Sequence, residues 1–125
     1  MTEYAITPTP KPRMTRSDRW KRRPCVQRYR AFCDEVRAQG VVLPEAGARV
    51  TFILPMPRSW SQRKRARHRG QAHTQRPDVS NLLKALEDAV YGEDSAIWHY
   101  AGVRKVWGDQ GAIIIEEVES CELAA

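Results

Sequence analysis

Asp78, Ser80, Asn81, Lys84, Glu87 and Asp88 fall inside one fifteen-residue stretch from Arg76 to Val90, and Glu93 and Asp94 follow directly after Gly92. Hard divalent cations such as Mg²⁺ take oxygen ligands, and one or two carboxylates with a substrate phosphate make a usual set. Such an ion activates water, polarises a phosphoryl group and stabilises a leaving oxygen. A lysine among the acids offsets negative charge as it develops. The grouping therefore suits metal-assisted chemistry on a phosphate backbone.

Each of these residues also has an ordinary role. Asp78 follows Pro77 and is well placed to cap a helix by accepting from the backbone of Ser80 or Asn81, and Ser80 is an alternative cap. Glu93-Asp94 after Gly92 reads as a polar turn. Charged residues on a helix usually face water. On spacing alone these ordinary roles are the commoner ones, and the basic context of the chain raises the interest of the chemical reading beside them.

The 125 residues carry a net charge of +6. Fifteen of the 21 Lys/Arg lie within 11–30 and 58–70, and ten of the 15 Asp/Glu lie from Asp78 onward. That segregation fits a protein that grips a polyanion and sets acids against it. Nucleic acid is the expected partner. Cys25, Cys33 and Cys121 are odd in number and lack a C-x-x-C spacing, which points to reduced thiols rather than a disulfide framework or a zinc knuckle. No apolar run approaches a membrane span and the N-terminus lacks the pattern of a signal peptide, so we expect no membrane partner and a cytoplasmic protein. The length allows one domain over 1–125.

The stretch needs elements to position it. Tyr4-Ala5-Ile6 is a short strand candidate ended by Pro8, Pro10 and Pro12, after which a basic arm runs from Lys11 to Arg30. Its role, if any, is positional. Val26, Tyr29, Arg30, Phe32, Cys33 and Val36 give a stripe at helical spacing, and Gly40 stops that helix. Ala48 to Leu54 is rich in β-formers and is cut off by Pro55 and Pro57.

Residues 58–75 have little apolar content to bury, which predicts a mobile basic loop or a polar helix that orders on binding. In the helix after Pro77, Val79, Leu82, Leu83, Leu86, Ala89 and Val90 share an arc of about 120°, leaving Asn81, Lys84 and Asp88 on the opposite face. Ile97 to Trp107 and Gly111 to Val118 bracket a hairpin turn at Gly108-Asp109-Gln110, and Ile113-Ile114-Ile115 suits a central strand. The expected order is β-α-β-α-β-β, an α+β domain with a mixed sheet packed against two helices and a frayed tail over 119–125.

Pro77-Asp78-Val79-Ser80-Asn81-Leu82-Leu83-Lys84-Ala85-Leu86-Glu87-Asp88-Ala89, followed by Glu93-Asp94-Ser95 and Val103-Arg104-Lys105, resembles the signature of the RusA-type Holliday-junction resolvases. Pro55-Met56-Pro57-Arg58-Ser59-Trp60-Ser61 and Trp107-Gly108 are similar to phage-type members, so the likeness spans roughly residues 50 to 115. It implies a homodimeric α+β endonuclease that uses Mg²⁺ or Mn²⁺ to make paired nicks in four-way DNA junctions during recombination and repair. For localisation it implies the cytoplasm of a bacterial cell, with a phage or prophage gene as source. Carried over by position, Asp78 and Asp94 are metal-binding catalytic acids, Lys84 contacts the phosphate, and Asp88 matches a recurrent acid of the metal site.

Ser80 departs from the pattern, which expects an aspartate there. Either Glu87, Asp88 or Glu93 substitutes for it, or the site binds metal weakly and the protein holds junctions better than it cuts them. A helix from Val79 to Val90 is about 18 Å long, and the four-residue loop after it spans at most about 14 Å. Asp78 and Asp94 therefore meet only if the helix stops early, near Asp88, or if they come from different subunits. An early stop with the loop folding back is the expectation.

For the DNA, Arg58, Arg63, Lys64, Arg65, Arg67 and Arg69 are expected to grip backbone phosphates rather than read bases, with Lys105 beside them. Trp60 either stacks on an unpaired base or packs on the domain edge. His68, His73 and His99 lack a metal-ligand spacing and fall outside the site.

Overall fold

Val50, Phe52 and Leu54 alternate along a strand whose inward face is wholly apolar, and the rest of the chain is arranged around it. In a computed structural model, residues 1–13, 15, 23–92 and 97–118 are described. The elements are β1 (Thr2–Tyr4), α1 (Pro24–Ala38), β2 (Ala48–Pro55), α2 (Gln62–His68), α3 (Val79–Tyr91), β3 (Tyr100–Gly108) and β4 (Ala112–Glu117). They form the expected α+β domain, with one more helix than the sequence announced. The expected tail over 119–125 lies outside the described residues.

The four strands lie in the order β1-β4-β2-β3, with β2 parallel to β3 and antiparallel to β4, and β1 antiparallel to β4. Ile113 and Ile115 of β4 are buried in the core, as expected of a central strand. The first strand sits two residues earlier than Tyr4–Ile6, and Ile6 instead enters the core just beyond it.

The expected hairpin between the last two strands is overturned. β2 lies between β3 and β4, and residues 109–111 cross over its end rather than folding back in a two-strand turn. The buried β2 needs a neighbour on each side, and that demand outweighs a local turn signal. The crossing depends on two glycines. A Cβ on Gly108 would stand 2.3 Å from Ile53 Cγ2, and one on Gly111 would stand 2.6 Å from Thr7 Cα, so neither site accepts a side chain without movement.

Val26, Tyr29, Phe32 and Val36 of α1 and Leu82, Ala85, Leu86 and Ala89 of α3 bury one stripe each. All of these but Val26 belong to one core with Val50, Phe52, Leu54, Ile113 and Ile115 of the sheet. Pro24 opens α1, where its missing N–H costs nothing. The parallel pairing of β2 with β3 requires a long crossover, and residues 56–99 supply it with α2 and α3. No helix among the described residues is long and apolar enough to cross a membrane.

Candidate nucleic-acid interface and acidic site

Asp78 stands at the N-cap of α3 with extended backbone (φ −68°, ψ 145°), and its side chain makes no capping hydrogen bond. The capping role open to it in the sequence is therefore not taken up. Asp78 is exposed, and its carboxylate borders a cleft of about 470 Å³ lined also by Pro10, Arg76, Pro77 and Asn81. Ser80 is exposed in the first turn, so the helix start presents one carboxylate, an amide and a hydroxyl.

Spaced by three, three and four residues, Asp78, Asn81, Lys84 and Asp88 line one stripe of α3, the polar face expected opposite the apolar arc. They do not meet at one point, because ten residues of helix separate Asp78 from Asp88 by about 15 Å. Nor does the helix stop near Asp88. It runs unbroken to Tyr91 and closes at Gly92, whose N–H bonds the Asp88 carbonyl at 2.9 Å. The expected early stop is corrected, since Ala89 and Val90 continue the packed face and carry the helix one turn further. Glu93 and Asp94 lie outside the described residues.

Asp88 is occupied by lysines. Lys11 Nζ lies 2.6 Å from Oδ2 and Lys84 Nζ 3.5 Å from Oδ1, and the carboxylate side chain is only 9% exposed. Lys84 itself remains 55% exposed. Two ammonium groups neutralise a nearly buried acid, so its charge is compensated without an ion. Lys11 is the residue that the sequence left with a merely positional arm. The proline segment carries it there: Pro10 lines the same cleft as Asp78, and Lys11 pairs with Asp88. Glu87 accepts a hydrogen bond from Tyr100 at 2.5 Å, which directs it toward β3.

The basic segment forms the polar helix of the two forms open to it, correcting a continuous loop over 58–75. Ser61 caps α2 by accepting from Lys64 N at 3.2 Å. No α2 residue is buried. An aromatic run holds the helix instead. Trp60 packs on Trp107 with ring centres 4.7 Å apart and on His68 at 4.8 Å, and His73 covers Trp107 at 4.0 Å. Trp60 is thus packed at the domain edge and half-buried.

The cations of this segment divide. Arg65 donates to the Trp60 and Pro57 carbonyls, and Arg69 forms a two-pronged pair with Asp109 at 2.8 and 3.0 Å that lowers the Asp109 carboxyl pKa. Lys64 lies 4.4 Å over the Trp60 ring. Arg58, Arg63 and Arg67 are exposed. The Lys105 ammonium is turned to the carbonyls of Gln75 and Pro77.

His73 is 5% exposed, and its Nδ1 has no hydrogen-bond partner among the described residues. Burial first, and then the nearby Lys105 ammonium, push its pKa below the ordinary histidine value. The folded state thus prefers the neutral ring, and the unfolded chain binds the proton more readily. The resulting stability is full above about pH 6.5, the unfolded value. It falls as pH drops from there through the folded pKa. We expect the thermal midpoint to fall between pH 7.5 and 5.5 and His73→Phe, which keeps a ring against Trp107, to shrink that fall. An equal fall in the variant would assign the pH dependence elsewhere.

The model of the family described as endodeoxyribonuclease RusA matches residues 3–117. No curated protein and no solved structure matches the chain.

Proposed function

Because the chain belongs to the RusA family of endodeoxyribonucleases, we propose that it resolves four-way DNA junctions, with Asp78 of one copy completed by Asp94 of a second. The observation that carries the two-copy site is the unbroken run of α3. From Asp78 to Gly92 the helix rises about 21 Å. The two further residues to Asp94 recover at most about 7 Å. Two aspartates sharing one Mg²⁺ keep their Cα atoms within about 11 Å, at about 2.1 Å per metal–oxygen bond. About 14 Å or more would remain within one chain, which supports an acid supplied by a partner.

The donor set at the start of α3 fits a hard cation. Asp78 offers a carboxylate not spent on capping, Asn81 adds an amide oxygen on the same cleft, and phosphate and water complete such a shell. When bound, Mg²⁺ or Mn²⁺ supplies water activation and neutralises charge on the phosphate being cut. Lys84, one turn along the stripe, offsets charge on the scissile phosphate. Asp88 serves the lysines, holding Lys84 and Lys11 along one line of phosphates rather than joining the metal. Arg58, Arg63, Lys64 and Arg67 hold backbone further out, which makes binding salt dependent. A two-fold homodimer presents two sites to the two symmetry-related strands of a junction.

Ser80 favours a second reading, a protein that binds junctions and cuts them weakly, because an exposed hydroxyl stands in the first turn of α3 where the family pattern has a carboxylate. The test compares the chain with Ser80→Asp on a synthetic four-way junction and a linear duplex, with and without Mg²⁺. We expect both to cut the junction selectively, and Ser80→Asp to cut about ten-fold faster at limiting Mg²⁺, within the range by which supporting groups tune metal affinity. The added acid also suits the positive end of α3, so stability should not fall. Tight junction binding by both proteins with no cutting by either would favour the second reading.

A further inference from the structure

The strip from Gly70 to Pro77 lies along the outer edge of β3 and then turns into α3. Gly70 N donates to the Trp107 carbonyl at 2.9 Å, Trp107 N to Gln71 at 3.0 Å and His73 N to Lys105 at 3.1 Å, with Ala72 bridged antiparallel to Val106. This short ladder ends at His73. Beyond it, the half-buried Lys105 side chain takes over, its ammonium donating to the carbonyls of Gln75 and Pro77, the latter at 2.6 Å.

Pro77 immediately precedes Asp78. A charged donor on a carbonyl makes a stronger bond than a neutral one, and two carbonyls on one ammonium fix the backbone on both sides of Arg76. We infer that Lys105 is a positioning residue: it locks the last turn before α3 and so sets where the Asp78 carboxylate stands. This rests on the reading of Asp78 as the working acid, and it replaces the phosphate contact that the sequence suggested for Lys105.

The two roles separate in solution. A lysine that neutralises a phosphate contributes about 0.9 to the slope of log affinity against log salt, whereas one spent on its own backbone contributes nothing. We would prepare Lys105→Met and Lys105→Arg. The second keeps the charge and so guards against a folding failure of the first, but its planar fork does not reproduce a compact ammonium between two carbonyls.

Three readouts are taken on the full chain: metal-free junction affinity across salt, Mn²⁺ affinity by calorimetry, and backbone hydrogen exchange. The expected result is an unchanged salt slope for both variants, faster exchange confined to residues 74–82, and Mn²⁺ affinity 10- to 100-fold weaker, as for loss of a supporting group around a metal site. Unchanged exchange together with a slope reduced by about 0.9 in Lys105→Met would overturn the inference in favour of a phosphate contact. Faster exchange with unchanged Mn²⁺ affinity would uphold Lys105 as the clamp and instead remove Asp78 from the metal site.

Discussion

Asp78→Asn is expected to lower junction cleavage by about 10³-fold, the scale of several kcal/mol of charge stabilisation lost at the phosphate. The expectation is specific because the substitution removes charge and little else. Asp78 makes no capping hydrogen bond, so no native contact of that kind is lost. Asparagine is as good an N-cap residue as aspartate, so α3 should keep its start. Removing an acid from the cleft proposed to face DNA should leave metal-free junction affinity equal or slightly higher. Single-turnover cleavage of an end-labelled junction, beside fluorescence anisotropy without metal, measures both. A variant that cuts within a few-fold of the parent would take Asp78 out of the chemistry.

The features of this molecule that are periodic were legible in its sequence. The apolar arcs of α1 and α3 follow directly from residue spacing, and Val26, Phe32, Leu82 and Leu86 are buried as that spacing requires. The polar stripe from Asp78 to Asp88 follows from the same geometry, which sets those residues opposite the apolar side, although Lys11 closes over Asp88 and leaves it nearly buried.

Contacts that depend on distant chain segments were not legible. Gly108-Asp109-Gln110 suits a hairpin as well as it suits a crossing, and only the position of β2 between its neighbours decides between them. α2 has no apolar stripe to betray it. Its stabilising contact, Trp60 on Trp107, joins residues far apart in sequence, and Ser61 at the cap was the one local sign. The pairing of Lys11 with Asp88 spans 77 residues. A proline-spaced basic arm gives no indication of which acid it will meet.

Lys105 shows the same limit from the other side. Its place in Val103-Arg104-Lys105 marked it as a residue of the site, yet its partners are backbone carbonyls, which carry no side-chain signature. The resemblance singled out candidate residues, and the fold gives them different surroundings. Asp78 and Asn81 open to the cleft, Lys84 and Lys11 share Asp88, and Lys105 supports the turn beneath them.

The central claim is a nuclease site shared between two copies, and mixing two inactive chains tests it most directly. Asp78→Asn and Asp94→Asn, each inactive alone, are co-expressed with different tags and the mixed dimer is purified through both. In a shared site the mixed dimer unites the intact Asp78 of one chain with the intact Asp94 of the other, while its second site carries both defects. One working site of two should restore about half the parent nicking rate, and the junction should be nicked in one strand rather than resolved by paired cuts. Without tag selection, random pairing makes half the dimers mixed, and about a quarter of the parent rate is expected. A mixed dimer as inactive as either variant alone, while still binding the junction, would place both acids within one chain and contradict the account.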